Sequence, residues 1–439
     1  MLIDKNYALN NIGRSHDIRE TLDLLTNLSD MLNFKINIKI NKPFKFLCHS
    51  TLRVPEIDFA VNGKGVNEII ALVSAHAELI ERISAFPESW HDATGGLHLL
   101  RQPKDRRELF GRIYDHEYLE GRIEKRYNEL PNIVDMSMLL KNTAFSNRQV
   151  DLIKEKSIHT RFWAPAKAVF ESDTVYYIPI HLVKVLQGTN GLASGRTLLE
   201  ATMHGAMEVL ERYLFRRLLE GDEVVPTIDK NSIDDDYINS SLEYFDENDI
   251  EVVLKDLSLD LNIPAIGVVT FNKKLTPEHR GYNTMKIGVA TNTRNAVMRA
   301  LTERMQGTTF AEERLLGEID DRDRHLKYHT FFNKGKAFFD LSKFRQGEII
   351  PIKNWAYENT DSMFEVLKQI IDKLKSKLLV VDYTHKKLKF PVVQVIIPGI
   401  SDNVMVYTKN YQTMAYLGGV DEKLSSVEKN LEKIYKTFF

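Results

Sequence analysis

Residues Gly188 to Tyr213 read GTNGLASGRTLLEATMHGAMEVLERY, a glycine-rich turn running into a helix that carries Glu200, Glu208, Glu211 and Arg212. A fainter copy lies upstream, Gly63 to Ser84, reading GKGVNEIIALVSAHAELIERIS. At a constant spacing of 130 residues, Gly65 meets Gly195, Asn67 meets Thr197 and Ala71 meets Ala201; Glu78, Glu81 and Arg82 then meet Glu208, Glu211 and Arg212. Helical residues three and four apart are neighbours on one face. Glu78, Glu81 and Arg82 therefore share a face, and so do Glu208, Glu211 and Arg212. Two helices with the same acidic face imply two related halves that meet at a shared site.

Outward from these helices, the chain alternates between strand and helix patterns. Ile18, Leu22, Leu25, Leu28 and Met31 follow helical spacing, and Phe34 to Leu47 alternates as one or two strands. Phe59-Ala60-Val61 ends a third strand before a Gly63-Lys64-Gly65 turn. Asn67 caps the first acidic helix and Pro87 closes it. Thr197 and Glu200 make a T-x-x-E capping box for the second, which gives Glu200 a local role. Residues 102–126 are dense in charge, as a solvated helical face is. Residues 137–156 have helical spacing, and Thr174–Ile180 reads as a strand. After Pro226 the pattern predicts a helix around 233–247, strands at Glu251–Leu257, Ile263–Phe271 and Met285–Ala290, and one long helix from Asn295 to about Leu316 carrying Arg299 and Glu303. A helix at 361–376, strands at Leu378–Tyr383 and Val392–Ile397, and a terminal helix from Asp421 complete the chain. The mixture predicts an α+β or α/β fold in one large unit. The expected divisions are an N-terminal helix and strands (1–56), a main domain holding the repeat (57–400, with 63–84 and 188–213), and a C-terminal segment with its helix (401–439).

Composition narrows the classes. Of 439 residues, 43% are hydrophobic and 27% charged, ordinary for a globular protein. A net charge of −2 provides no bulk attraction to nucleic acid or membrane. The single cysteine, Cys48, excludes an intrachain disulfide and a multi-thiolate metal site, and fits a reducing compartment. The first residues lack the apolar core of a signal peptide, and no apolar run reaches the roughly 20 residues of a membrane span. The expectation is a cytoplasmic protein.

Paired carboxylates at i and i+3 repel unless a cation or proton sits between them. Mg2+ suits that position, since it prefers oxygen and commonly bridges carboxylates to phosphates. One E-x-x-E-R helix is ordinarily a surface helix with internal ion pairs. Two copies, each after a glycine turn and set among small and apolar residues such as Ala75, Ala77, Gly205 and Ala206, argue instead for a site. Gly63-Lys64-Gly65 offers a point charge and backbone N–H groups near a helix start. No Walker A loop, G-x-G-x-x-G or G-x-S-x-G occurs. His325 and His329 have helical spacing without a third metal ligand. His76 and His204 lie beside the acidic faces at non-equivalent positions of the repeat.

These stretches resemble a known family. TNGLASGRTLLEATMHGAMEVLERY resembles the central motif of YcaO proteins, NGKGVNEIIALVSAHAELIER the first, and AVMRALTERMQ the third with its R-A-L-x-E-x-x-Q core. DLSLDLNIPAIGVV and FPVVQVIIPGIS are similar to the family's later strands, so the resemblance spans roughly residues 45–410. It implies a YcaO-like fold with two related halves, each contributing a Glu-bearing helix to one nucleotide site. It also implies an enzyme that uses ATP and Mg2+ to activate a peptide-backbone amide: a nucleophile adds to the carbonyl, ATP phosphorylates the resulting oxygen, and phosphate leaves. By the same resemblance, Glu78, Glu81, Glu208 and Glu211 hold Mg2+, and Lys64, Asn190, Arg212, Arg299 and Glu303 contact the nucleotide. Arg82 joins that set by repeat symmetry. No catalytic base is identified.

Departures from the family pattern bear on the nucleophile. Asn62 stands where the family often has Ser, and Gly288–Asn292 replaces a glycine- and histidine-containing turn. The end EKIYKTFF lacks the proline-rich tail of azoline-forming members. The acidic stretch 317–323 loosely resembles a segment of TfuA-associated members, which make thioamides. Sulfur insertion is therefore the favoured expectation, with azoline or amidine formation as alternatives within the family. Expected partners are a peptide or protein substrate, a TfuA-like or E1-like protein delivering peptide or sulfur, and a second copy in a homodimer. Outside this reading stand a non-catalytic peptide-binding scaffold and an ATP-independent carboxylate-metal hydrolase.

Overall fold

The computed structural model describes residues 17–57, 59–85, 129–141, 163–172, 174–179, 187–220, 223–306, 309–320, 335–337, 341–355 and 360–401, with a few single residues between them. The charge-dense stretch 102–126, most of the helix expected over 137–156, the His325/His329 pair and the helix expected from Asp421 lie outside the described residues.

Helix α1 (Ile18–Asp30) begins where the Asp17 side chain accepts from the N–H groups of Arg19 and Glu20. A hairpin follows, β1 (Asn37–Phe44) and β2 (Leu47–Val54), and then β3 (Phe59–Gly65) and α2 (Glu68–Ser84). Strands β4 (Trp163–Ala168), β5 (Val175–Pro179) and β6 (Leu192–Ser194) precede α3 (Leu198–Glu220). Next come β7 (Thr227–Ile228), α4 (Asp236–Glu247), β8 (Ile250–Asp256), β9 (Ala265–Asn272), β10 (Asn283–Val289) and α5 (Thr293–Met305). The described chain closes with β11 (Ile349–Ile350), α6 (Thr360–Lys373), β12 (Leu379–Asp382) and β13 (Val392–Ile396).

The strands form three sheets, in the orders β1-β2-β3, β10-β9-β8-β7-β11 and β5-β4-β12-β13-β6. This is the mixed α+β architecture expected. Strand pairing crosses the boundary expected at 56/57, because β2 pairs with β3 from Cys48↔Gly65 to Val54↔Phe59. Helix α3 lies against β6 and β13 on one side and β10 and α6 on others. It buries Ala201, Ala206, Val209, Leu210 and Leu214 around its circumference. The arc left uncovered carries His204, Glu208 and Glu211, which are half-buried and turn to a cavity instead of to the outer surface.

Three local expectations change. Gly63-Lys64-Gly65 is the end of strand β3, paired with Ser50, His49 and Cys48, and not a turn. Its glycines serve close packing: a Cβ on Gly63 would lie 2.0 Å from the Ala71 carbonyl oxygen of α2. The helix expected over 295–316 stops at Met305, where Gln306 turns to extended backbone, and Thr309 caps a separate four-residue helix through a capping box with Glu312. Strand β4 was not foreseen, because its sequence WAPAKA alternates alanine with proline and lysine and carries little hydrophobic signal.

Candidate functional site

Three strands of three sheets each run into a helix, and the three helices converge. β3 leads to α2, β6 to α3 and β10 to α5. The third unit repeats the first at a constant spacing of 225 residues. Gly63 meets Gly288, Asn67 meets Asn292, Ala71 meets Ala296, Ala75 meets Ala300, Glu78 meets Glu303 and Glu81 meets Gln306. The packing repeats as well. A Cβ on Gly288 would lie 2.1 Å from the Ala296 carbonyl oxygen, as one on Gly63 meets that of Ala71. Asn67 and Asn292 each cap their helix by accepting from the third N–H.

Between the three helices lies a cavity of about 1020 Å³. Lys64, Glu78, Glu81 and Arg82 line it from the first unit, Glu208, Glu211 and Arg212 from the second, and Arg299 and Glu303 from the third. Nine of the ten residues expected at the site are thus brought together. Asn190 is the exception: it is buried outside the cavity, where its amide donates to the Ser401 carbonyl at 2.8 Å. Of the two histidines, His204 lines the cavity, with Nδ1 3.3 Å from the Ser194 carbonyl oxygen. His76 instead ties α2 to α1 through the Ser29 hydroxyl at 2.9 Å. Thr197 caps the helix by accepting from the Glu200 N–H at 3.1 Å, and the Glu200 carboxylate accepts from the Arg196 N–H at 2.8 Å, one residue before the cap, instead of from Thr197 as a closed capping box requires.

Charges of opposite sign interleave. Arg82 Nη2 lies 3.4 Å from Glu78 Oε1 and 3.8 Å from Glu81 Oε1, and Arg299 Nη2 lies 3.9 Å from Glu211 Oε2. Lys64 joins the units, pairing with Glu303 and donating to Gln306 Oε1 at 2.9 Å. Glu208 accepts from the Gly191 N–H at 3.3 Å. Burial raises both the Glu208 and Glu211 carboxyls, despite the arginines that oppose it. Burial also acts on Glu303, but Lys64 and Lys286 outweigh it and hold the group at about 2. Burial lowers the Lys286 ammonium of β10 to about 8, with Arg212 and Lys64 adding to the effect.

Gln306, the last residue of the third motif, was given no role in the sequence reading, and Lys286 was missing from it. Gln306 was within reach, since the 225-residue spacing assigns it to the position of Glu81. Lys286 carries no such mark: only the fold brings a β10 side chain to this charge cluster.

Among the described residues, no three His, Cys, Asp or Glu side chains are gathered tightly enough to enclose a metal by themselves. Mg2+ at phosphate sites does not require such a cage, since it takes one or two carboxylates and completes its shell with phosphate oxygens and water. Glu208 and Glu211 are an oxygen donor set whose ionised form burial disfavours even with Arg82, Arg212 and Arg299 nearby, so a further cation between them would be favourable. The residues present therefore fit Mg2+ shared with a phosphate-bearing ligand better than a dedicated protein metal centre.

Comparison with known proteins bears on the family and the fold. The family model described as YcaO cyclodehydratase, ATP- and Mg2+-binding, matches residues 62–401. The Escherichia coli ribosomal protein S12 methylthiotransferase accessory factor YcaO is 25% identical over 354 residues, covering 78% of this chain and 57% of that protein. An uncharacterised Rhizobium leguminosarum protein in the tfuA 3′ region is 24% identical over 230 residues, covering 50% of this chain and 53% of that one. The chain thus spans little more than half the length of these two relatives. Among solved structures, YcaO from Methanopyrus kandleri bound with AMPPCP and Mg2+ shares the fold with a TM-score of 0.59 at 16% identity, over 92% of this chain and 96% of that one. Among the described residues, no helix is long and apolar enough to cross a membrane.

Proposed function

The chain belongs to the YcaO family, and from that premise we propose that its cavity binds ATP with Mg2+ and uses them to activate a peptide-backbone amide. The observation that carries this reading is the convergence of three strand–helix units on one cavity, with five glutamates interleaved with Lys64, Arg82, Arg212 and Arg299. Glu78, Glu81, Glu208 and Glu211 are the residues to hold Mg2+, which when bound supplies the positive charge that links carboxylates to phosphates. Lys64, Arg212 and Arg299 grip phosphate oxygens, and Arg82 braces the α2 carboxylates. Glu303, held ionised by Lys64 and Lys286, completes the wall. Asn190 is left out of the nucleotide set because it lies outside the cavity.

In this reaction a nucleophile adds to the amide carbon, the γ-phosphoryl group passes to the resulting oxygen, and the C–O bond breaks with phosphate leaving. Hydrosulfide as nucleophile leaves a thioamide after loss of its proton; a carrier thiocarboxylate does so once water cleaves the carrier's acyl–sulfur bond and the carrier leaves as its carboxylate. That outcome is favoured by the relative in the tfuA 3′ region. The acidic stretch adds less support, because Asp320 and Asp323 pair with Arg280 at 2.8 and 2.5 Å as a local brace. A neighbouring cysteine or serine side chain would give an azoline, and an amine an amidine. The substrate is a peptide or protein, brought with or without a TfuA-like or E1-like partner.

The first test is phosphate release from ATP with and without Mg2+. Glu81→Gln and Glu211→Gln each abolish it while circular dichroism stays unchanged; wild-type turnover in both variants overturns the metal assignment. A folded wild-type chain without Mg2+-dependent turnover in the presence of peptide leaves the scaffold and the ATP-independent hydrolase, which cleavage of peptide with Mg2+ alone separates. Mass spectrometry of a candidate peptide then separates the products, by exchange of oxygen for sulfur or by loss of water.

A further inference from the structure

A second cavity, of about 170 Å³, lies apart from the large one, past the C-terminal end of α3, and is lined by Glu223, Val224, Val225, Lys255, Lys343 and Phe344 among others. Lys255 sits in the middle of the central sheet on β8 and is fully buried. Its ammonium donates to the Thr227 hydroxyl at 2.7 Å and to the Gln346 carbonyl at 2.6 Å. An ammonium has three N–H donors, and among the described residues no third acceptor and no carboxylate reaches this one. Glu223 also lines the cavity, and its exposed carboxylate lies 3.8 Å from Arg217 rather than in contact with Lys255. An ionised group buried without a counter-charge is costly, and proteins ordinarily pair it or neutralise it. Burial alone brings the Lys255 ammonium down to about 8, with no neighbouring carboxylate acting to hold it up.

The backbone beside this ammonium is built to leave room. Gly347 has φ of +118°, a conformation open essentially to glycine. A Cβ there would come 3.1 Å from Lys255 Nζ and 2.4 Å from the Val225 carbonyl oxygen. The space holds the equivalent of about five waters at about 30 Å³ each. Its walls are cationic at one end, where Lys343 Nζ also donates to the Leu218 carbonyl at 3.2 Å, and apolar along Val224, Val225 and Phe344.

We infer that this cavity binds a short-chain carboxylate, its oxygens on the Lys255 ammonium and its hydrocarbon end against Val225 and Phe344. The carboxylate supplies the missing counter-charge, and the apolar wall separates it from inorganic anions of similar charge. This inference does not rest on the function proposed for the large cavity.

The test is thermal unfolding of the full chain in sodium propionate, phosphate and chloride at matched ionic strength and neutral pH. Propionate stabilises saturably; at ten times its dissociation constant the folding equilibrium rises about elevenfold. Lys255→Met abolishes the saturable part, and Lys343→Gln weakens it. An equal response in wild type and Lys255→Met overturns the site, and phosphate or chloride matching propionate overturns the carboxylate assignment. If Lys255→Met does not fold, titration calorimetry of propionate into wild type and Lys343→Gln decides: absence of binding heat, or identical affinity in the two proteins, refutes the proposal.

Discussion

Replacing Gly63 by alanine tests how the first acidic helix is positioned. The new Cβ would lie 2.0 Å from the Ala71 carbonyl oxygen, 2.4 Å from the Ala75 nitrogen and 2.8 Å from the Ala75 Cβ. These are mostly backbone atoms of α2, so no rotamer change relieves the contact. Carbon contacts settle at about 3.5–4.0 Å, so α2 has to withdraw from β3 by about 1.5 Å or tilt by an equivalent amount. Such overpacking costs about 1–3 kcal/mol. The same displacement carries Glu78 and Glu81 away from Glu208 and Glu211, and a misplacement of about 1 Å in a catalytic array commonly costs about a hundredfold in rate. Urea unfolding and Mg2+-dependent ATP turnover measure the two effects on one preparation. Asn62→Ala, on the exposed neighbour in β3, is the control and should change stability by no more than about 0.5 kcal/mol. A Gly63→Ala protein with wild-type midpoint and turnover refutes the packing argument. Lost stability with wild-type turnover refutes the role given to α2.

Further outcomes follow from the same charges and contacts. Burial raises the Glu208 carboxyl above its unfolded value of about 4.3, so its ionised form destabilises the fold increasingly as pH climbs from there towards the folded value. Glu208→Gln should therefore unfold at a higher temperature than wild type at neutral pH without Mg2+, with the gap closing at pH 4 and below; a less stable variant at neutral pH contradicts this. Binding of Mg2+–nucleotide should displace protons from Glu208 and Glu211, so affinity falls as pH falls. Calorimetry in two mildly acidic buffers of different ionisation enthalpy reads that release directly, and an absence of release counts against the assignment. Arg304 and Glu313 form a buried bidentate pair at 3.0 and 2.9 Å. Arg304→Met should cost about 3–5 kcal/mol, towards the lower end because Lys336 Nζ remains 3.9 Å from Glu313, and a neutral effect in urea unfolding would show that the pair is dispensable.

What could be read in the sequence was whatever depends on local spacing. The cap at Thr197, the cap at Asn67 and the common face of Glu78 and Glu81 are properties of a single helix, and each occurs as spaced; the reciprocal half of the expected box is displaced by one residue, to the Arg196 N–H. The α+β class was legible for the same reason, since strand and helix periods alternate along the chain. The glycines were misread. A G-K-G tripeptide has the composition of a turn, yet here it is strand, because what makes glycine necessary is the α2 backbone pressed against it, a tertiary contact with no local mark. Asn190 was misplaced for a related reason. A turn residue next to a site motif is near the site in sequence, and its side chain points where Ser401 needs a donor.

The third repeat sharpens what the site is. The spacing of 130 residues is conspicuous because it preserves E-x-x-E-R entire, whereas the spacing of 225 preserves the packing residues and alters the charges. Glu81 becomes Gln306, and Arg82 has no counterpart. What the three copies share in structure is a small residue at the strand–helix crossing and a glutamate about two turns further along the helix. That is what it takes to bring a carboxylate from each of three sheets to one cavity. The asymmetry then has a physical reading. A third full E-x-x-E-R would crowd a further carboxylate into a cavity where burial already raises Glu208 and Glu211. A neutral glutamine at that position still accepts from Lys64 at 2.9 Å, while Lys64 holds Glu303 ionised beside it. The repeat therefore builds a cradle with three similar walls and an uneven charge, two walls suited to a cation and the third, where Arg299 stands and Lys64 reaches across from the first, suited to the phosphates that the cation would accompany.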